Sequence, residues 1–157
     1  MPSNKCSADV YLWDLPYDLR SNGLAGKWQA EVWASSADGT ALVDSGSAGS
    51  LTVVRETRMT AKATPAAVKK GKTTTITGSL TRADWSTWSF KPYASRTLTL
   101  QQVKGGQWTN VKKVKADAKG TVKTSVKVTA AASFRWSFAG DAASDRVTSP
   151  TARVKVK

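Results

Sequence analysis

Ser133-Phe134-Arg135-Trp136-Ser137-Phe138 decides the fold class. Phe134, Trp136 and Phe138 share one face of an extended chain, and Arg135 and Ser137 take the other. Period two with aromatic residues on one side predicts a half-buried β-strand. Residues 120–128 repeat the pattern: Val122, Val126 and Val128 point inward, Lys123 and Lys127 outward. The terminal run sets Ala152, Val154 and Val156 against Arg153, Lys155 and Lys157.

Weaker strands fill the gaps. Residues 73–81 are threonine-rich, with Ile76 and Leu80 on one face. Leu98 and Leu100 alternate within residues 97–101. Residues 108–114 follow Gly105-Gly106, so these two strands form a hairpin. Residues 58–64 open the series. Further turns fall at Lys70-Gly71, Asp117-Ala118-Lys119-Gly120 and Gly140-Asp141. The result is seven strands in about 100 residues, the spacing of an antiparallel β-sandwich. Pro65-Ala66-Ala67-Val68 and Ala130-Ala131-Ala132 are too short for stable helices.

The first part of the chain is also β, but incomplete. Strands are expected at 9–13, 28–33 and 51–54, with a turn at Ala37-Asp38-Gly39-Thr40. Three or four strands leave a core face and an edge open. The division is therefore a partial β domain over 1–56 and a complete sandwich over 57–157. The open edge of 1–56 is a place for strand pairing with another chain.

Charge divides the chain at the same point. Residues 1–56 carry four basic and seven acidic side chains; residues 57–157 carry 20 and four. The second part is thus a polycation at +16. Such a surface attracts nucleic acid, anionic lipid or acidic cell-wall polymers, or it is simply well solvated. Lysines alternating along strands also blunt edge-to-edge association. No nucleic-acid motif accompanies the pI of 10.1. Polyanion binding is therefore expected to be non-specific and strongly salt-dependent.

The 157 residues contain no histidine and one cysteine, Cys6. A Ser-His-Asp or Cys-His constellation cannot be assembled. No disulfide within the chain and no cysteine-based zinc site is possible. Cys6 is either a free thiol near a frayed terminus or half of a bridge to a thiol elsewhere. The carboxylates of the second part, Asp84, Asp117, Asp141 and Asp145, show no sign of pairing in a cleft. Asp141-Ala142-Ala143-Ser144-Asp145 is the best candidate for calcium and a poor one, since the loop is short and Arg146 follows directly. The expectation is a protein that is not an enzyme and uses no cofactor or metal. No apolar stretch is long enough for a membrane span, and the first residues lack the apolar core of a signal peptide.

The segment richest in binding chemistry runs from 84 to 93, Asp84-Trp85-Ser86-Thr87-Trp88-Ser89-Phe90-Lys91-Pro92-Tyr93. Aromatic loops at the end of a sandwich stack on sugar rings or anchor protein interfaces. Trp85, Trp88, Phe90, Lys91 and Tyr93 form the candidate surface. Alternatively, Trp85 plugs the end of the sandwich while Phe90 and Tyr93 cover a core edge.

Residues 55–140 resemble the immunoglobulin-like β-sandwich domains of secreted actinobacterial proteins, some of which carry a loose calcium-binding label. The resemblance rests on residues 55–60, Pro65 with Val68-Lys69-Lys70-Gly71-Lys72-Thr73, Ile76-Thr77-Gly78, and Leu80-Thr81-Arg82-Ala83-Asp84-Trp85. It continues through Leu98-Thr99-Leu100-Gln101 and Gly120-Thr121-Val122-Lys123-Thr124 to Phe134-Arg135-Trp136-Ser137-Phe138-Ala139-Gly140. These are fold motifs. The resemblance implies an immunoglobulin-like antiparallel sandwich, an extracellular location, and an adaptor or scaffold role in binding a protein or an anionic cell-surface polymer. The runner-up role is carbohydrate or cell-wall binding through residues 85–93 and nearby lysines.

More weakly, Cys6, Leu19, Ala25-Gly26-Lys27-Trp28, Asp38-Gly39 and residues 51–55 resemble the end of a preceding immunoglobulin-like domain. In that setting the partner of Cys6 lies upstream, and the chain is a trimmed or processed fragment with Met1 as an added start. The intact mass of the native gene product checks this expectation. A mass exceeding that of residues 1–157 agrees with it, and a gene beginning at Met1 without a leader contradicts it.

Overall fold

A computed structural model describes residues 18–36 and 38–157, without the side chains of 43–45. The strand expected at 9–13, Cys6 and Ala37 lie outside the described residues. The protein is all-β, and its strands form two facing, mainly antiparallel sheets preceded by a separate hairpin.

The hairpin comprises β1 (Gly26–Ser35) and β2 (Leu42–Val53), paired antiparallel from Gly26↔Val53 to Ser35↔Leu42 with an irregularity between Ala30 and Val32. Asp38 ties its turn. One carboxylate oxygen accepts hydrogen bonds from Ser36 Oγ (2.5 Å), the Thr40 amide (3.1 Å) and Thr40 Oγ1 (2.8 Å). These bonds, that from Ser36 foremost, hold the Asp38 pKa down to about 2. β1 outruns the expected 28–33 at both ends, and β2 begins nine residues before the expected 51–54 and ends one short of it, at Val53, because pairing extends past the apolar residues.

One sheet of the sandwich is built on β6 (Thr73–Asp84). Along one edge of β6 run β3 (Thr57–Met59) and β4 (Lys62–Thr64); along the other run β10 (Thr121–Lys127) and β7 (Ser89–Pro92). The second sheet runs β5 (Ala67–Val68), β13 (Ala152–Val156), β11 (Ala132–Phe138), β8 (Thr97–Lys104), β9 (Gln107–Lys115). A short β12 (Val147–Thr148) also pairs with β11. After β4 the chain leaves the first sheet at Pro65, and β5 pairs parallel with β13 of the second.

Period two in β6 buries Thr74, Ile76, Gly78 and Leu80. Facing them are Leu98 and Leu100 of β8 and Phe134, Trp136 and Phe138 of β11. Each fully buried Leu, Ile or Phe contributes about 1.5–3 kcal/mol, so this alternation drives the fold.

The described chain from β3 onward has eleven strands rather than seven. The expected strand 58–64 is broken between β3 and β4. Thr60 turns its hydroxyl back to Ser79, accepting from the Ser79 amide at 3.0 Å and meeting Ser79 Oγ at 2.7 Å. The additional strands β5, β7 and β12 span two to four residues. Such lengths show no periodicity of their own.

Two glycines are dictated by packing. A methyl group at Gly78 would stand 2.6 Å from Trp136 Cδ1 and 2.7 Å from the Thr60 carbonyl oxygen. Gly120, at φ +72°, would bring one to 2.4 Å from the Leu80 carbonyl oxygen. Gly120 sits where β10 hands over to β7 along β6: its carbonyl accepts from the Leu80 amide, and the Leu80 carbonyl accepts from the Tyr93 amide. Gly78→Ala and Gly120→Ala are each expected to cost about 1–3 kcal/mol. Gly49→Ala on the hairpin, where nothing lies within 4 Å, should stay within about 0.5 kcal/mol. Urea melts of the three variants check this ordering.

Candidate functional site

The segment singled out by its aromatics connects β6 to β7, and its conformation is fixed by a residue far away in sequence. Asp84 Oδ1 accepts from the Ser86 amide (3.0 Å), the Thr87 amide (3.2 Å) and Asn22 Nδ2 (3.0 Å). Asn22 begins a 3-10 turn (Asn22–Leu24) capped by Ser21. Its amide oxygen accepts from the Trp85 N–H at 2.9 Å. One carboxamide thus bridges the Asp84 carboxylate and the Trp85 backbone amide. The Asn22 bond, followed by those of the two amides, holds the Asp84 carboxyl below its ordinary range.

This clamp separates the five candidate surface residues. Trp85 turns inward and is buried, outside the main core cluster. Trp88 is presented outward at 52% exposure, in the left-handed region at φ 55°. Phe90 is half-buried on the outer face of the first sheet, with the Arg58 guanidinium 3.7 Å above its ring. Lys91 is exposed. Tyr93 is buried in the core, edge-on to Phe138 with centroids 5.8 Å apart. Trp85 and Tyr93 are therefore corrected: their rings serve the interior, because the pleat and the clamp turn them away from solvent.

Trp88, Phe90, Ser89, Glu56 and Asp84 line a groove of about 250 Å³. Its geometry follows from the sheet register. The Glu56 carbonyl accepts from the Ala83 amide at 2.8 Å, and Ala83 pairs with Phe90. Glu56, Ala83 and Phe90 thus lie in one row across three neighbouring segments. Arg58, two residues beyond Glu56, reaches back to it at 2.8 Å while covering Phe90. Glu56 and Arg58 were not among the residues singled out from sequence. Alternation with buried Thr57 and Met59 marks them as outward-facing, but only the register places them beside Phe90.

Behind this face lies a polar network built on Tyr93. Its hydroxyl donates to the Asp141 carboxylate and accepts from Ser144 Oγ at 3.1 Å. Arg82 and Arg96 place their guanidiniums 4.0 and 4.5 Å from the Tyr93 ring centroid. Arg82 Nη1 also donates to Ser144 Oγ at 3.0 Å, and Arg96 lies 3.6 Å from Asp141 Oδ2. Arg55 ties in the same loop from the other side. It donates from Nε to the Ala83 carbonyl at 2.6 Å, and its backbone bonds to Ala143 and Asp145. Burial, and then the neighbouring charge of Arg82, lower the pKa of Arg55. The sandwich is thus anchored at Arg55, two residues before the boundary drawn at 57.

Asp141 is occupied structurally. Burial raises its pKa, but the bonds from Tyr93, the Ala143 amide and Ser144, with the charge of Arg96, outweigh burial and hold it below the ordinary range. Asp145 Oδ1 accepts from the Arg146 amide. Among the described residues no three Cys, Asp or Glu side chains gather where they could hold a metal ion. What the outer face offers instead is recognition chemistry: one exposed indole, a carboxylate–guanidinium pair and hydroxyl groups. No family model matches this chain, and no curated protein does.

Two outcomes follow for the network. Tyr93→Phe leaves Asp141 without its buried donor and is expected to cost about 1–3 kcal/mol in a urea melt. A carboxyl with a depressed folded-state pKa contributes stability above its unfolded pKa of about 4 and loses it as pH falls through the folded value. Asp141→Asn should therefore flatten the fall in stability between about pH 5 and pH 2, measured by urea melts across that range.

Proposed function

We propose that this protein is a non-catalytic, immunoglobulin-like binding module that works outside the cell as an adaptor or scaffold. The β1–β2 hairpin is its protein-docking element. The switch of the chain from β4 in one sheet to β5, parallel to the last strand of the other, supports the immunoglobulin-like reading.

The observation that carries the docking role is the bareness of the hairpin. Among the described residues, β1 and β2 pair with each other and with no third strand. Trp33 and Leu42 are 67% and 74% exposed, and Val32 and Leu51 are exposed as well. Val32 and Trp33 are neighbours and so point to opposite faces. A lone two-stranded ribbon is marginal in water. Apolar groups on both faces and open edges make it a template for another chain. Charge supports the same division of labour. Residues 26–53 hold Lys27 against Glu31, Asp38 and Asp44, whereas residues 57–157 carry +16. The hairpin is therefore the surface on which a protein partner meets least cationic repulsion, and anionic surface polymers are drawn to the sandwich instead.

Bait proteins immobilised against extracellular protein from the producing cells test this reading at ~1 M salt, where charge attraction is screened to about 3 Å. Proteins retained by the wild type and lost by Trp33→Ser/Leu42→Ser are expected. The double variant should melt within about 0.5 kcal/mol of wild type, as surface substitutions do. Identical protein profiles for the two baits contradict the docking role.

A further inference from the structure

We propose a second binding site, for a neutral glycan of pyranoses with equatorial hydroxyls, on the outer face of the first sheet, with Trp88 as its platform. The sugar ring stacks on the Trp88 indole, and Glu56, Arg58 and Ser89 meet its hydroxyl groups.

The indole is exposed, and the backbone turn that carries it is fixed. Asp84 and Asn22 fix the turn beneath it through the bonds to Ser86, Thr87 and Trp85. Thr87 Oγ1 and Ser89 Oγ lie 2.9 Å apart and steady the far side. Trp88 occupies φ 55°, a conformation that a bulky residue adopts only at a cost of order 1–3 kcal/mol. A rigid aromatic group needs little ordering when a ligand arrives.

The surroundings select the ligand class. A pyranose with equatorial hydroxyls has two flat faces of C–H groups and a polar rim, so it needs an aromatic face with polar partners beside it. The groove is about 250 Å³, below the roughly 300–1,000 Å³ of sites for drug-sized molecules. It suits a single ring of a longer polymer. A proline-rich helix needs a groove of accessible aromatic rings, but of the three aromatics here Trp85 is buried and the Arg58 guanidinium covers Phe90, which leaves Trp88 as the bare one. An acidic sugar would meet the Glu56 and Asp84 carboxylates, while Arg58 is already paired with Glu56 at 2.8 Å. A neutral glycan avoids that conflict. Exposed Glu56 and Arg58 side chains can exchange water for sugar hydroxyls.

Retention on insoluble chitin and cellulose at ~1 M salt tests the site, with ionic attraction screened. The wild type should be retained on at least one polymer. Trp88→Ala should weaken retention at least about tenfold, as loss of an anchor residue does, and Trp33→Ala should leave it unchanged. Trp88→Asn is the companion variant: asparagine accepts a positive φ, so its fold is preserved while the platform is gone. Glu56→Gln should weaken binding less than the loss of the indole. No retention of the wild type on either polymer overturns the proposal, as does equal retention of wild type and both Trp88 variants. Trp88-dependent binding of a proline-rich peptide, without binding to either polymer, replaces the ligand class and overturns it too.

Discussion

The indole of Trp136 packs against Gly78 through its Cδ1–Nε1 side, and the sandwich depends on that contact. Trp136 is completely buried, and a methyl group at 78 would collide with it. Two sheets face each other about 10 Å apart. The largest side chain can occupy that gap only where its opposite number has none. Gly78 supplies the space at the middle of β6, with Ile76 and Leu80 on either side as apolar walls. The fit is tight enough that Trp136 Nε1 has no acceptor among the described residues. An unmet donor costs about 1–3 kcal/mol, which the packing of the ring offsets.

From this contact outward, the structure passes from apolar to polar in a defined order. Leu80, next inward residue along β6, meets Gly120 and Tyr93 through its backbone. Tyr93 ends the core at Phe138 and begins the network of Asp141, Ser144, Arg82 and Arg96. Asp84 ends β6 and sets the turn that faces Trp85 inward and Trp88 outward. The proposed glycan platform therefore rests on a rigid strand end, the favourable place for a binding group.

Period two in residues 133–138 and 120–128 was enough to find β11, β10 and their inward faces, since more and less buried positions alternate there residue by residue. The same reading could not find β5, β7 or β12. Strands of two to four residues exist because a neighbour offers hydrogen bonds, and the neighbour lies far off in sequence. The candidate site shows the same limit. Residues 84–93 announced an aromatic cluster, but the outward turn of Trp88 and the inward turn of Trp85 depend on Asn22, which lies 63 positions from Trp85. Glu56 and Arg58 join Phe90 only through the pairing of β7 with β6.

The hairpin obeys a different logic. Its strands satisfy each other's hydrogen bonds but bury little, so its order derives from its turn and from whatever it meets. Within the sandwich, by contrast, opening any central strand exposes Trp136 and its neighbours together. Amide hydrogen exchange on the isolated protein measures this difference directly. Slow exchange of β6, β8 and β11 near the limit of global unfolding, with fast exchange throughout β1 and β2, is the result predicted for a sandwich preceded by a ribbon that has no third strand among the described residues, as the proposed docking role requires. Protection of β1 and β2 equal to that of β6 would contradict it, because the hairpin would then already be packed as part of the fold.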